Sequence, residues 1–356
     1  MDQQRLDQVM DALRTVEDPE LHKDLVTLNM ARDIEIDGGN VSLTVVLTTP
    51  ACPLRDEIDR RVRVGLQQLD WVESVHINMT AEVRQGPMMG EAAPIPGIKN
   101  AVAVASGKGG VGKTTTTVNL GVALARQGAS VGILDADVYG PNIPIMLGAD
   151  GAPMTMAGKI APIEAHGIKL MSLGFMLEEG APVIWRGPMI GGAIGQLLND
   201  VDWGELDYLL IDMPPGTGDA SLSLAQLVPV AGTLIVSTPQ AVALQDVLRS
   251  ISMWEKLGVP VLGLVENMSY FVNPADGSRL EIFGHGGARE AAEKVGIEFL
   301  GEISLDQAIR IGGDSGTPVA TDESNPQAAA YAEIAGRMAA AISIKNEERA
   351  EPLPML

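Results

Sequence analysis

Cysteine is nearly missing from these 356 residues: Cys52 is the only one, which excludes a disulfide within the chain. Positive charge is scarce as well. Lys and Arg number 25 against 46 Asp and Glu, a net charge of −21, and no Lys/Arg run occurs. Such a chain has no electrostatic footprint for gripping nucleic acid or an anionic membrane, so neither is expected as a partner. No run of about 18 apolar residues is present, so no membrane-spanning helix is expected. The opening "MDQQRLDQVMDALR" has acids among its first residues and no apolar core, unlike a signal peptide. Internal repeats and low-complexity tracts are lacking too. What is present is ample apolar material, 46% of residues, and a length that suggests two domains. A cytoplasmic protein is the expectation.

Residues 1–84 read as a small α+β domain. "LDQVMDALRTVEDPEL" opens it with an amphipathic helix that should stop before Pro19. "VSLTVVLT" places Val41, Leu43, Val45 and Leu47 on one face, a strand pattern, with "RDIEI" as hairpin partner across the turn "DGGN". In "PLRDEIDRRVRVGLQQL" a helical stripe runs through Leu54, Ile58, Val62, Leu66 and Leu69, and "VESVHINM" closes the unit as a strand. Proline and glycine crowd residues 85–99, which read as a linker. Over residues 100–344 short strands apolar on both faces ("AVAVAS", "SVGILDAD", "YLLIDMPP", "GTLIVSTP", "VLGLVENM") alternate with helical stretches. That is an α/β pattern with a mostly parallel sheet covered by helices. Residues 345–356 read as a frayed tail.

"AVAVASGKGGVGKTTTTVNL" is strand, glycine loop, helix, and Gly107, Gly112, Lys113 and Thr114 fit G-x-x-x-x-G-K-[ST]. Glycines let backbone N–H groups wrap phosphates, and a helix N-terminus aims partial positive charge at them. Lys113 should reach the β- and γ-phosphates, and the Thr114 hydroxyl should ligate Mg²⁺. Asp135 and Asp137 stand just past an apolar strand, where open α/β sheets present ligand groups. Asp212 ends another strand, and Asn267 follows a third.

A second loop lysine, Lys108, makes the motif K-G-G-x-G-K-[ST], which resembles the deviant Walker A loop of the MinD/ParA/nitrogenase-iron-protein class. The resemblance implies ATP as nucleotide, held by Gly107, Lys108, Gly109, Gly110, Val111, Gly112, Lys113, Thr114 and Thr115. It also implies a homodimer in which Lys108 crosses to the phosphates bound by the partner. Asp137 is then the residue that orients the attacking water, Asp135 supports the Mg²⁺ shell, and Asp212 holds Mg²⁺ through water. Gly216 would donate its N–H to the γ-phosphate and Asn267 would read the adenine edge, a structural turn Asn being the other reading. Asp219 is either a switch sensor or a helix cap. P-loop chemistry of this kind is Mg-dependent ATP hydrolysis by positioning and electrostatics.

"DADVYGPNIPIMLG", "WRGPM" and "EIFGHGGARE" further resemble the Mrp/ApbC/Nbp-type iron–sulfur cluster carrier ATPases. "TVEDPEL" and "TTPACPLRDEI" resemble the PaaD/SufT-like domain fused to bacterial members. The resemblance covers nearly the whole chain and implies a protein that carries iron–sulfur clusters to apoproteins or works with assembly factors. One departure stands out. Where the carriers place C-x-x-C, this chain has Asn273 and Asp276, and oxygen or nitrogen donors suit cluster iron poorly. Cys52, ahead of a helix N-terminus that favours a thiolate, is a possible Fe–S ligand, a reactive thiol or a small buried hydrophobe. His285 reads as a hydrogen-bonding loop histidine or a ligand; His22, His76 and His166 have no assignment. Trp185 and Arg186 read as interface anchors, with a plain core tryptophan as the alternative. Three functions therefore stay open: a cluster-handling ATPase dimer, a metal-free nucleotide switch that regulates or positions a protein partner, and a scaffold whose partner contributes the cluster ligands.

Overall fold

The computed structural model describes residues 3–86, 95–137, 140–156, 158–176, 187–218, 221, 222, 225, 226, 228 and 230–350. It divides into two compact units, one comprising residues up to Arg84 with those from Ala339 onward, the other Gln85–Met338.

The first unit contains α1 (Gln3–Arg14), β1 (Ala31–Asp37), β2 (Asn40–Leu47), α2 (Arg55–Leu66) and β3 (Ser74–Ala81). β1 pairs antiparallel with β2, and β2 parallel with β3. A parallel neighbour requires a crossover, and α2 supplies it. Val41, Leu43, Val45 and Leu47 are buried in one cluster with Ile58, Val62 and Leu66 of α2 and Val9 and Leu13 of α1. Each such side chain stabilises the unit by roughly 1.5–3 kcal/mol through removal from water.

The second unit holds the larger sheet. Its elements in chain order are β4 (Ile98–Ser106), α3 (Lys113–Arg126), β5 (Val131–Asp135), α4 (Ile143–Met146), β6 (Thr155–Met156), β7 (Lys159–Ile160), β8 (Ile163–Ala165) and β9 (Ile168–Ser172). Then come α5 (Gly187–Asn199), β10 (Leu206–Asp212), β11 (Gly232–Ser237), α6 (Ala241–Lys256), β12 (Val261–Glu266), β13 (Phe271–Val272), β14 (Arg279–Leu280), α7 (Gly287–Val295), β15 (Phe299–Glu302) and α8 (Gln307–Ser315). The strand order is β15-β12-β11-β4-β10-β5-β9-β8. All neighbours run parallel except β8, which pairs antiparallel with β9. β4, β10 and β11 are buried along nearly their whole length, which explains their continuous apolar sequences. From β4 the chain skips past β10 to form β5, so β4 and its loop open a crevice at the carboxyl ends of the strands.

Two boundaries differ from the sequence expectation. β4 begins at Ile98, and Ile95 and Ile98 are buried in the core of this unit, so ordered structure starts before residue 100. The final helix α9 runs Pro326–Ala350 through part of the expected tail. Glu347, near its end, lies 3.1 Å from Lys23 and 3.5 Å from Arg84, ion pairs within the first unit. Among the described residues no helix is long and apolar enough to cross a membrane.

Candidate active site

Parallel pairing sets the site's charge. Asp212 at the end of β10 is in register with Asp135 at the end of β5. Two carboxylates thus meet beneath the loop that leaves β4. Lys113, the first residue of α3, is buried above them: its Nζ lies 2.7 Å from Asp212 Oδ2 and 3.6 Å from Asp137 Oδ2. The Thr114 hydroxyl also donates to Asp212 Oδ2, at 2.7 Å, and the Thr117 hydroxyl to Oδ1, at 2.7 Å. Thr114 and Thr117 share a helix face at i, i+3, so the "TTTT" run serves both oxygens of one carboxylate. The part of Thr117 was not read from the sequence, although that spacing signals it.

Above this cluster is a cavity of about 360 Å³ lined by Lys108, Gly109, Gly110, Lys113, Thr114, Asp137, Asn142 and Pro215. A neighbouring cavity of about 350 Å³ shares Gly112, Thr115 and Asn142 with it and adds Asn267, Met268, Leu305, Asp306, Ile309 and Arg310. Two adjoining compartments, one walled by the glycine loop with Lys108 and Lys113 and the other by Asn267, Met268 and Leu305, suit the phosphates and the base of a nucleotide. Gly112 has φ +85°, and a Cβ there would stand 2.0 Å from Asn267 Nδ2, so only glycine fits this corner. Asn267 Nδ2 donates to the Val111 carbonyl at 2.8 Å, tying β12 to the loop. Its second amide hydrogen and its oxygen remain for a ligand.

Several predicted site residues are placed differently. Asp135 does not line the cavity. Its oxygens accept the N–H groups of Asp137 (3.2 Å) and Ile143 (3.3 Å) and the Ser172 hydroxyl (3.0 Å). Burial pushes its carboxyl above the usual range, and the charge of Asp212 adds to that. Asp135 is therefore a clamp on the loop that carries Asp137 and Asn142, and Ser172, from the distant β9, is part of it. The Gly216 N–H, expected at the γ-phosphate, donates to the Ser106 carbonyl at 2.9 Å. Lys108 is half-buried at the rim, and among the described residues its ammonium makes no ion pair. Trp185, Arg186 and Asp219 lie outside the described residues.

Comparison with known proteins matches this architecture to families. Residues 97–339 match the ParA model, described as NUBPL iron-transfer P-loop NTPase, and residues 6–78 match a model for iron–sulfur cluster assembly proteins. The chain belongs to the ParA/NUBPL iron-transfer P-loop NTPase family. An iron–sulfur cluster carrier protein of Synechocystis is 48% identical over 345 residues, covering 95% of this chain and 98% of that protein. One from Deinococcus radiodurans is 48% identical over 354 residues, covering 98% and 99%. A nucleotide-binding protein of Archaeoglobus fulgidus, solved with ADP, has TM-score 0.58 and 43% identity over 65% of this chain and 91% of its own. The cell-division ATPase MinD of Pyrococcus furiosus has TM-score 0.50 and 25% identity over 67% of this chain and 98% of its own.

Within this family the hairpin after Asn267 is where the resemblance places a cysteine pair, and here the two positions close a turn. Asn273 Oδ1 accepts the Ala275 N–H at 3.0 Å. Asp276 Oδ1 accepts the Ser278 N–H at 2.9 Å and its hydroxyl at 2.7 Å, bonds that hold this carboxyl below the usual range. Both side chains are engaged in Asx-type turns between β13 and β14. These donors do not fit a thiolate-bound cluster.

Cys52 corrects a second expectation. It precedes α2, yet its thiol is pushed up to about 12, chiefly by burial and then by the nearby Glu20 charge, against the small opposing effect of the Leu54 N–H. Glu20 is itself raised to about 7 by burial and Asp18. Desolvation and acid neighbours outweigh the helix terminus. The thiol stays protonated at neutral pH, and any metal bound there must displace that proton. At pH 8 iodoacetamide should alkylate Cys52 on the order of 10³-fold more slowly than a solvent-exposed cysteine, the ratio of thiolate fractions. Mass spectrometry of the time course measures it, and labelling at the rate of a small-molecule thiol would contradict the assignment.

Proposed function

We propose that this protein is an ATP-hydrolysing homodimer that carries iron–sulfur clusters, or helps load them, onto target apoproteins. The observation behind this reading is the convergence of Lys113, Thr114 and Asp212 below the loop cavity, in a chain of the iron-transfer NTPase family. In this reading the loop amides and Lys113 bind the β- and γ-phosphates, Asp137 orients the attacking water, and Asn267 faces the base. Thr114 and Asp212, an oxygen donor pair of the kind Mg²⁺ accepts, would hold that ion, which supplies charge neutralisation on the phosphates. Lys108 acts on the nucleotide of the partner copy. The cluster is cargo, and no part of its handling is assigned to Asn273 or Asp276.

A second reading, a metal-free nucleotide switch acting on a protein partner, is favoured by those two side chains being engaged in their own turn. Anaerobic reconstitution with iron and sulfide separates the readings, with acid-labile sulfide counted per dimer and transfer to an apoferredoxin followed. Sulfide retained by the wild type and lost in Cys52→Ala supports the carrier reading with Cys52 as a ligand. A cluster that survives Cys52→Ala with full sulfide content contradicts Cys52 as the ligand. No labile sulfide in either protein favours the switch.

A further inference from the structure

The fold assembles a ligand set that the sequence keeps apart. Glu266 ends β12, Glu302 ends β15 beside it, and His285 sits in the loop leading to α7. One donor atom from each lies within 4.8 Å of the other two. His285 Nδ1 is 3.7 Å from Glu266 Oε1 and 3.5 Å from Glu302 Oε2. A tetrahedral ion bound at 2.0–2.2 Å by nitrogen and oxygen holds its ligands about 3.4 Å apart, close to these separations.

The donor groups are joined by hydrogen bonds that a bound cation would replace. Glu266 is fully buried, and the N–H groups of Gly286 (2.9 Å) and Ala288 (2.7 Å) fix its carboxylate. The Ser269 oxygen is 2.5 Å from Glu266 Oε1, 2.8 Å from His285 Nδ1 and 3.4 Å from Glu302 Oε2; the first two are hydrogen-bond separations, so Ser269 would have to draw back from both to serve as a fourth donor. Arg279 is the nearest cation, and it binds the other oxygen of Glu302, Oε1, at 3.0 Å. Its Nη2 is 3.0 Å from Nδ1 and 3.2 Å from Nε2 of His285. The Arg279 guanidinium carbon is 3.6 Å from the centroid of the Tyr270 ring, whose plane stands at 81° to the imidazole. Glu302 is half-buried and His285 exposed, which provides an entry path.

We propose that Glu266, His285 and Glu302, with Ser269, form a binding site for one divalent first-row transition ion of the zinc or iron(II) class. The imidazole nitrogen is a borderline donor that favours first-row transition ions over Mg²⁺ and Ca²⁺, while the two carboxylate oxygens are hard donors that bind either class.

Zn²⁺ binding is measured by equilibrium dialysis on the full chain carrying Cys52→Ser, with excess Mg²⁺ and ADP to fill the P-loop site. Co²⁺ absorption reports geometry. One Zn²⁺ per chain is expected, with Co²⁺ giving tetrahedral d–d bands. His285→Ala and Glu302→Gln should each weaken Zn²⁺ binding by about 100-fold or more, while Arg279→Ala, which removes a neighbouring positive charge, should strengthen it. Circular dichroism and ATP hydrolysis check that the variants remain folded. If either ligand variant fails to fold, the other and Arg279→Ala still decide. Zn²⁺ uptake absent from the folded wild type, or unaltered by the ligand variants, overturns the site and leaves these residues as a polar latch on the hairpin.

Discussion

Lys113→Ala is expected to lower ATP hydrolysis by on the order of 10³-fold, the loss seen when one preorganised donor is removed from developing transition-state charge. The structure sharpens this expectation, because Lys113 faces the carboxylates of Asp212 and Asp137 and its ammonium is their buried counter-charge. Removing it leaves Asp212 with hydroxyl donors alone, from Thr114 and Thr117. Breaking a buried pair from one side costs about 3–5 kcal/mol, so the variant should also melt at lower temperature. Thr114→Val provides the complementary test. It keeps the charge balance but deletes the hydroxyl expected to ligate Mg²⁺, so hydrolysis should fall without the same loss of stability. Phosphate release and thermal melting of both variants are the measurements. Unchanged turnover in Lys113→Ala would remove the catalytic assignment.

Lys108→Ala should behave differently, keeping nucleotide affinity within a few-fold and losing hydrolysis by about 10³-fold or more, as when a cation supplied in trans is deleted. The reason is positional. Lys113 is buried against the acids, whereas Lys108 is at the cavity rim with no ion-pair partner among the described residues. Sedimentation with ATP should show a dimer for the wild type that is weakened in the variant. A monomer under ATP whose hydrolysis survives Lys108→Ala would show that the second lysine has no in-trans role. Mixing Lys108→Ala with Lys113→Ala protein adds a readout that a merely structural lysine would not move. Each heterodimer then has one copy with an intact Lys113 and receives Lys108 from the other, so part of the activity should return.

The hairpin after Asn267 shows how far local sequence carries and where it stops. Asn273 and Asp276 are poor iron donors by residue type alone, and the structure adds that their side chains are engaged in turns. Nothing local to "FGHGG" indicates that His285 faces Glu266 and Glu302, because those neighbours arrive from the ends of two other strands. Cys52 makes the converse point. Its position before α2 suggested a thiolate, but burial and the acids Glu20 and Asp18 arrive through folding and reverse the shift.

By itself the sequence determined what depends on short spacing: the alternating faces of β2, the stripe of α2, the buried parallel strands, and the glycine loop with Lys113 and Thr114 opening α3. These follow from the periods of strand and helix and from the conformational demands of a phosphate loop, all set within a few residues. Only the tertiary structure decided that Asp135 clamps a loop with Ser172, that Thr117 shares Asp212 with Thr114, and that Glu266, Glu302 and His285 meet. Those relations depend on which strand ends lie side by side and on how completely burial removes water from a carboxylate or a thiol, and chain order encodes neither directly.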